Sequence, residues 1–267
     1  MRISVLVLVT LLSTIFSPAF AQEWAKEQLN TSPRHLEWID LKAGKRKIHT
    51  FVAYPESKSK ATVIILIHEI FGLSDWVRET SDALAAQGFI VVAPDLLSGT
   101  GVNGKGSEGY ADDDARRAAV SALPPEQVTA DLRHALEHAL SIPAGNGKVV
   151  VAGFCWGGGQ TFRFATNASD EIKAAYVFYG PPPESTNMPS IQCPVYGFYA
   201  ENDARITSTI DDTKKKMVAA GKTFDPVIYK GAGHGFMRTG EAPDAKPADK
   251  AARDAAWKRW IALLKKV

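Results

Sequence analysis

Continuous apolar runs of strand length alternate along this chain with segments whose apolar residues recur every three or four positions. Residues 62–68 form a β-branched run suited to a buried central strand, and 89–93 repeats the pattern up to the break at Pro94-Asp95. Between them, helical spacing begins at Asp75, covers 76–87 and stops at Gly88. Upstream, 35–41 and 47–54 read as an antiparallel pair turned at Ala43-Gly44. Further strands are predicted at 149–154, 174–179, 195–200 and 226–230, and helices from Asp112, over 124–140, just after Cys155 and near 251–264. Such alternation belongs to a mostly parallel sheet covered by helices on both faces, so the fold class is α/β. The cluster Pro181-Pro182-Pro183 and the stretch 239–249 read as loops rather than domain linkers, since strands of one sheet flank the former. Five of the twelve residues in 99–110 are glycine, too little apolar surface for a regular element, which predicts a long loop serving as an exposed connection or a lid.

The amino terminus breaks this pattern. Arg2, the apolar run 5–12 and the small-residue site Ala19-Phe20-Ala21 read as a cleavable export signal over 1–21, leaving 22–267 as one domain. Export predicts a periplasmic or secreted protein. No later stretch approaches the roughly 18 uninterrupted apolar residues of a bilayer span, so the mature chain is expected off the membrane. Lys+Arg 31 against Asp+Glu 29 gives a formal charge of +2, too balanced for a nucleic-acid partner, whose phosphates select concentrated basic surface. A small-molecule substrate and a monomer are the expectation.

The strongest chemical signal is the run 148–159, which places Cys155 at the apex of Gly153-Phe154-Cys155-Trp156-Gly157, between a strand and a helix. This is a nucleophile elbow with cysteine in place of serine. The turn brings backbone too close for side chains at Gly153 and Gly157, and the free N–H groups of the helix that follows favour a thiolate and later an oxyanion. From the chain's own composition, Gly-x-Cys-x-Gly should arise by chance on the order of 0.01 times. Downstream order completes a triad. Asp203 falls at the carboxyl end of a predicted strand, and His234 lies in the glycine-rich segment 231–236 after the last one. His134 and His138, one helical turn apart, could face a metal, but no third ligand accompanies them and a partly exposed helix face is the plainer reading. No metal or organic cofactor is implied.

Four segments, His68-Glu69-Ile70-Phe71-Gly72-Leu73, Pro94-Asp95-Leu96, Gly153-Phe154-Cys155-Trp156-Gly157-Gly158 and His234-Gly235-Phe236-Met237-Arg238-Thr239, together with Asp203, resemble the dienelactone hydrolase family, a branch of the α/β-hydrolase fold. The resemblance runs from about residue 37 to 264. It implies that Glu69 activates the thiol when substrate binds, that the backbone N–H groups of Ile70 and Trp156 form the oxyanion hole, and that Arg238 receives a substrate carboxylate; a surface salt bridge or a pairing with Glu69 is the alternative for Arg238. The family's second arginine, expected shortly after Pro94-Asp95-Leu96, is absent, and Leu97-Ser98-Gly99 stands there instead. Arg205, Arg116 or Lys105 are candidate substitutes.

Cys155 and Cys193 are the only cysteines. Cys193 starts a predicted strand whose far end reaches Asp203, whereas Cys155 ends its neighbour, and about six strand residues span roughly 20 Å where a bridge needs less than about 7 Å. Two free thiols are expected, with Cys193 buried and inert. The resulting expectation is a cysteine-dependent hydrolase of activated esters or lactones that works through a thioester. The alternatives are an exported carboxylesterase of broad range and a thiol redox or binding protein.

Overall fold

The structure is a computed structural model and describes residues 22–168 and 170–267; the export signal assigned to 1–21 lies outside the described residues. One eight-stranded sheet organises it, in the order β1-β2-β4-β3-β5-β6-β7-β8. The strands are β1 (Leu36–Ala43), β2 (Arg46–Ala53), β3 (Ala61–Ile67), β4 (Ile90–Pro94), β5 (Gly145–Phe154), β6 (Ile172–Phe178), β7 (Val195–Asn202) and β8 (Phe224–Gly233). β1–β2 and β2–β4 pair antiparallel, and all later pairs are parallel. The helices are α1 (Glu23–Asn30), α2 (Asp75–Ala86), α3 (Asp113–Ser121), α4 (Pro125–Ser141), α5 (Trp156–Ala165), α6 (Ala204–Thr207), α7 (Ile210–Ala219), α8 (Phe236–Thr239) and α9 (Pro247–Leu264).

The continuous apolar strands are buried on both faces because helices cover both. In β3 the alternation sends Val63, Ile65 and Ile67 into one core with Leu132 and Leu136 of α4 and Met217 of α7. Ile64 and Leu66 enter the other with Trp76 and Leu84 of α2 and Trp260 of α9. Ser74 caps α2, its hydroxyl accepting from the Val77 N–H, and Gly88 ends the turn beyond that helix at φ +97°. Among the described residues no helix is long and apolar enough to cross a membrane.

Three expectations need correction. The segment 99–110 is not a featureless exposed connection: it forms two 3-10 turns, Val102–Gly104 and Gly106–Gly109, and buries Gly106, Ser107 and Gly109. The stretch 239–249 is shorter as a loop, since α9 begins at Pro247. β5 and β7 are not neighbours, because β6 lies between them. That only widens the gap between the cysteines, which are both free, with Cys193 buried.

Candidate active site

The site forms at the carboxyl ends of the central parallel strands, where loops leave a rigid sheet. Ile67 pairs with Gly153 and Phe154 with Phe178, so the ends of β3, β5 and β6 lie side by side. Past Phe154 the chain turns sharply, with Cys155 at φ +55°, a region costly to a residue with a side chain. The crowding expected at the glycines is present. A Cβ on Gly157 would lie 2.3 Å from the His68 carbonyl oxygen, and one on Gly153 would lie 2.4 Å from that of Gly157. The strained turn is held from outside too, since the Cys155 N–H donates to the Phe178 carbonyl at 3.0 Å.

Asp203 follows β7 and His234 follows β8, and the ends of these two strands are tied together. The Gly231 N–H donates to Glu201 at 2.8 Å, and the Asn202 side-chain amide donates to the Gly231 carbonyl at 3.0 Å. His234 thereby faces both partners. Its Nδ1 lies 2.5 Å from Asp203 Oδ2 and its Nε2 lies 3.1 Å from Cys155 Sγ. A carboxylate only accepts, so Nδ1 carries the proton and Nε2 is left to take the one on sulfur.

Burial pushes the Cys155 thiol up to about 11, and the Glu69 carboxylate adds to the shift; the N–H groups of Trp156 and Ile70 and the charge of Arg205 act against it. The resting sulfur is therefore a neutral thiol at neutral pH. The two opposing amides are those named from the sequence as oxyanion donors, and they come from the start of α5 and from the turn after β3.

Glu69 is nearly fully buried and forms an ion pair, Arg238 Nε donating to its Oε2 at 2.8 Å. Arg238 also packs its guanidinium over the Phe71 ring, 5.2 Å from the centroid. Burial opposes the Arg238 charge, but Glu69 outweighs it and the guanidinium is held more firmly protonated than usual. The arginine expected to meet a substrate carboxylate is thus engaged by a carboxylate of the protein. Of the substitutes, Arg116 is buried and bonded to Asp113 and the Tyr110 carbonyl. Lys105 opens on a separate cavity of about 580 Å³ beside Lys45, Arg46 and Lys47. Only Arg205, exposed on α6, extends its field to the sulfur.

Tyr179 and Asp249 escaped the sequence reading. Tyr179 follows β6 directly at φ +39°, sets its ring edge-on to His234 at 5.0 Å, and brings its hydroxyl to 3.5 Å from Glu69 Oε1. Its place at a strand end beside the elbow strand was the available signal. Asp249, at the start of α9, accepts from the Gly233 N–H at 2.9 Å and from the Thr239 hydroxyl at 3.0 Å, bracing the chain on both sides of His234. Nothing in the pattern around it marks that role. His134 and His138 lie away from these residues on α4, where His134 Nδ1 is 3.3 Å from Glu137. Among the described residues no group of three or more His, Cys, Asp or Glu side chains could hold a metal ion.

Comparison with known proteins identifies the family. The carboxymethylenebutenolidase of Pseudomonas putida is 29% identical over 204 residues, covering 72% of this chain and 82% of that protein. A Methylorubrum extorquens protein provisionally named a carboxymethylenebutenolidase is 31% identical over 226 residues, covering 79% of this chain and 74% of its own. In fold, the chain matches a structure from Klebsiella pneumoniae provisionally named a dienelactone hydrolase, with a TM-score of 0.76 at 24% identity over 88% of this chain and 99% of that one. The sequence profile of the dienelactone hydrolase family itself spans residues 48–267, from β2 to the last residue, and so takes in every strand that carries the site. This chain belongs to the dienelactone hydrolase family, and it is a hydrolase of the α/β-hydrolase fold.

Proposed function

We propose that the protein hydrolyses activated esters and lactones, with Cys155 as nucleophile, His234 as its base and Asp203 as the group that orients the imidazole. The observation carrying this reading is the unbroken contact from Asp203 through both His234 nitrogens to Cys155 Sγ, at an elbow with positive φ. As sulfur attacks the carbonyl carbon, the thiol proton passes to Nε2, and the carbonyl electron pair moves to oxygen, where the Ile70 and Trp156 amides stabilise it. Collapse expels the leaving group, which takes the proton from His234, and leaves a thioester on Cys155. Water, deprotonated by His234, then attacks the thioester carbonyl; collapse breaks the C–S bond, releases the acid, and the departing sulfur takes the proton back from His234. The neutral resting thiol, kept so by burial and by Glu69, resists oxidation. That suits the location we propose for it, periplasmic or secreted, on the reading of residues 1–21.

The thiol sets a limit on substrates. A tetrahedral intermediate expels the less basic group, and a sulfur held at about 11 leaves before an alkoxide, whose conjugate acid lies close to water's value of about 15.7. A phenol, at about 10, is a far better leaving group than an alcohol. Enol lactones, aryl esters and thioesters are therefore turned over and simple alkyl esters poorly. The test is a leaving-group series on wild type and Cys155→Ala. The expected result is fast turnover of p-nitrophenyl esters, slow turnover of ethyl esters and none of either in the variant. Equal rates on both ester types in the wild type would overturn the reading.

A second reading, a carboxylesterase of broad range, is favoured by one observation: Arg238 is committed to Glu69, and buried Leu97 and Ser98 occupy the place expected for a second arginine. Turnover of paired aryl esters with and without a carboxylate separates it from a dienelactone-type specificity, which favours the charged member.

A further inference from the structure

The turn after β3 carries both the Glu69 carboxylate and the Ile70 N–H, yet it is short and closed by few bonds of its own. The Gly72 N–H donates to the Glu69 carbonyl at 3.2 Å and the Ser74 N–H to the Gly72 carbonyl at 2.9 Å. What holds it in place comes from elsewhere. From β3, the buried His68 ring donates from Nδ1 to the Glu69 carbonyl at 2.7 Å, accepts from the Leu96 N–H at 3.3 Å and stacks on Trp156. From the glycine-rich segment, Ser107 reaches in.

Ser107 is almost fully buried, and its N–H and hydroxyl each have defined partners. Its N–H donates to Asp95 Oδ2 at 2.7 Å and its hydroxyl donates to Asp95 Oδ1 at 2.7 Å. With that proton committed to a carboxylate, the hydroxyl oxygen accepts from the Leu73 N–H at 2.9 Å. The fit leaves no slack. A Cβ on Gly72, at φ +75°, would lie 2.3 Å from Ser107 Oγ, and one on Gly106, at φ +67°, would lie 2.4 Å from Asp95 Oδ2. The segment is pinned further out as well, by the Gly106 N–H on the Thr100 carbonyl at 3.0 Å and the Tyr110 hydroxyl on Thr100 at 2.9 Å.

We propose that Ser107 is a positioning residue for the oxyanion hole: its hydroxyl, oriented by Asp95, fixes the 69–73 turn and through it the Ile70 N–H. The glycine-rich segment is then a strap behind the oxyanion arm, with Gly106 required where its backbone passes against Asp95. This inference rests on the proposed reading of Cys155 and Ile70. Losing the hydroxyl leaves the buried Leu73 N–H without its acceptor, and the turn relaxes. Outright loss of an oxyanion donor costs about 10²–10³ in kcat, and a displaced one costs less.

The test uses the full chain and two readouts, turnover of p-nitrophenyl acetate and inhibition by an aryl trifluoromethyl ketone. The ketone's carbonyl carbon bonds to sulfur, its π electron pair becomes an alkoxide in the oxyanion hole, and the thiol proton goes to His234. Ser107→Ala is expected to lower kcat about tenfold with KM changed less than about threefold, and to weaken the ketone by the same factor as kcat. Asp95→Asn keeps the shape but sets an amide N–H against the Ser107 N–H in place of its acceptor; it is expected to move both readouts the same way by about threefold, which serves if Ser107→Ala does not fold. Val102→Ala, exposed in the same segment, should leave both unchanged. An unchanged kcat in the Ser107 and Asp95 variants, or a fall in kcat with ketone affinity intact, overturns the proposal. Hydrolysis or ketone binding that survives Cys155→Ala would instead show that the reading of the nucleophile has failed.

Discussion

Glu69 and Glu79 are ten residues apart and almost equally buried, at 2% and 6% exposure, yet their surroundings treat them in opposite ways. Glu69 has a guanidinium committed to it, and Tyr179 adds a hydroxyl. Glu79, in α2, has an Oε2 with no hydrogen-bond partner among the described residues. Burial, then Glu241, pushes its carboxyl up to about 8. Two arginines are close by but are held by other acids: Arg34 by Asp82 through two bonds of 2.6 Å, and Arg253 by Glu241. At nearly equal burial the two carboxyl groups thus differ in whether a cation is bonded to them. The consequence at the active site is an ion pair beside Cys155, whose carboxylate adds to burial in raising the thiol.

The largest effect is expected from removing that cation. Arg238→Met leaves Glu69 buried without its partner and should cost about 3–5 kcal/mol in urea unfolding. The double variant Glu69→Gln/Arg238→Met should recover most of the loss. A cost below about 1 kcal/mol would mean that Glu69 finds another partner, and the contrast with Glu79 would fail.

Glu79 gives the complementary pH dependence. Its folded value of about 8 lies above the ordinary 4.5, so the folded state holds the proton more tightly. The contribution is complete below about 4.5 and is lost as pH rises through about 8. Glu79→Gln should match the wild type near pH 4.5 and exceed it at pH 9 by on the order of a few kcal/mol in urea midpoints. Parallel pH profiles for the two proteins would contradict the assignment.

A smaller effect is expected at the sulfur. Glu69→Gln removes the charge that helps hold the thiol near 11, so the midpoint for alkylation by iodoacetamide should fall by about one unit, and the rate at pH 8 should rise about tenfold. An unchanged midpoint would leave burial as the sole cause. Smallest of all is the response of Cys193, which burial holds near 12. It should stay unlabelled in the native protein while Cys155 reacts, and equal labelling would show that the strand is open.

How far the sequence reached follows from where the information lies. The β-branched runs and the elbow glycines are local signals with steric causes, so strands, chain order and the three residues Cys155, Asp203 and His234 were readable without coordinates. Every strand was found, although β8 extends beyond 226–230 to Phe224–Gly233. α1 and α7 were missed because their buried apolar positions are sparse, and α6 and α8 because a four-residue helix is too short to show a period. The segment 99–110 was misjudged for a related reason. Its glycines suggested freedom, but Asp95 holds Ser107 and crowds Gly106, a contact across twelve residues that composition does not encode. Arg238 was assigned to substrate on the family resemblance, with pairing to Glu69 as an alternative, and that pairing is the contact present; the sequence alone could not choose between them.

The central claim is that the Cys155 sulfur carries the acyl group. Rapid acid quench of the enzyme during turnover of p-nitrophenyl acetate, followed by peptide mass mapping, tests it most directly. The account predicts one acetyl group on the peptide containing Cys155, removed by hydroxylamine and absent when His234 is replaced by alanine. Full turnover with that peptide unmodified, or with the acetyl group on another residue, would contradict it.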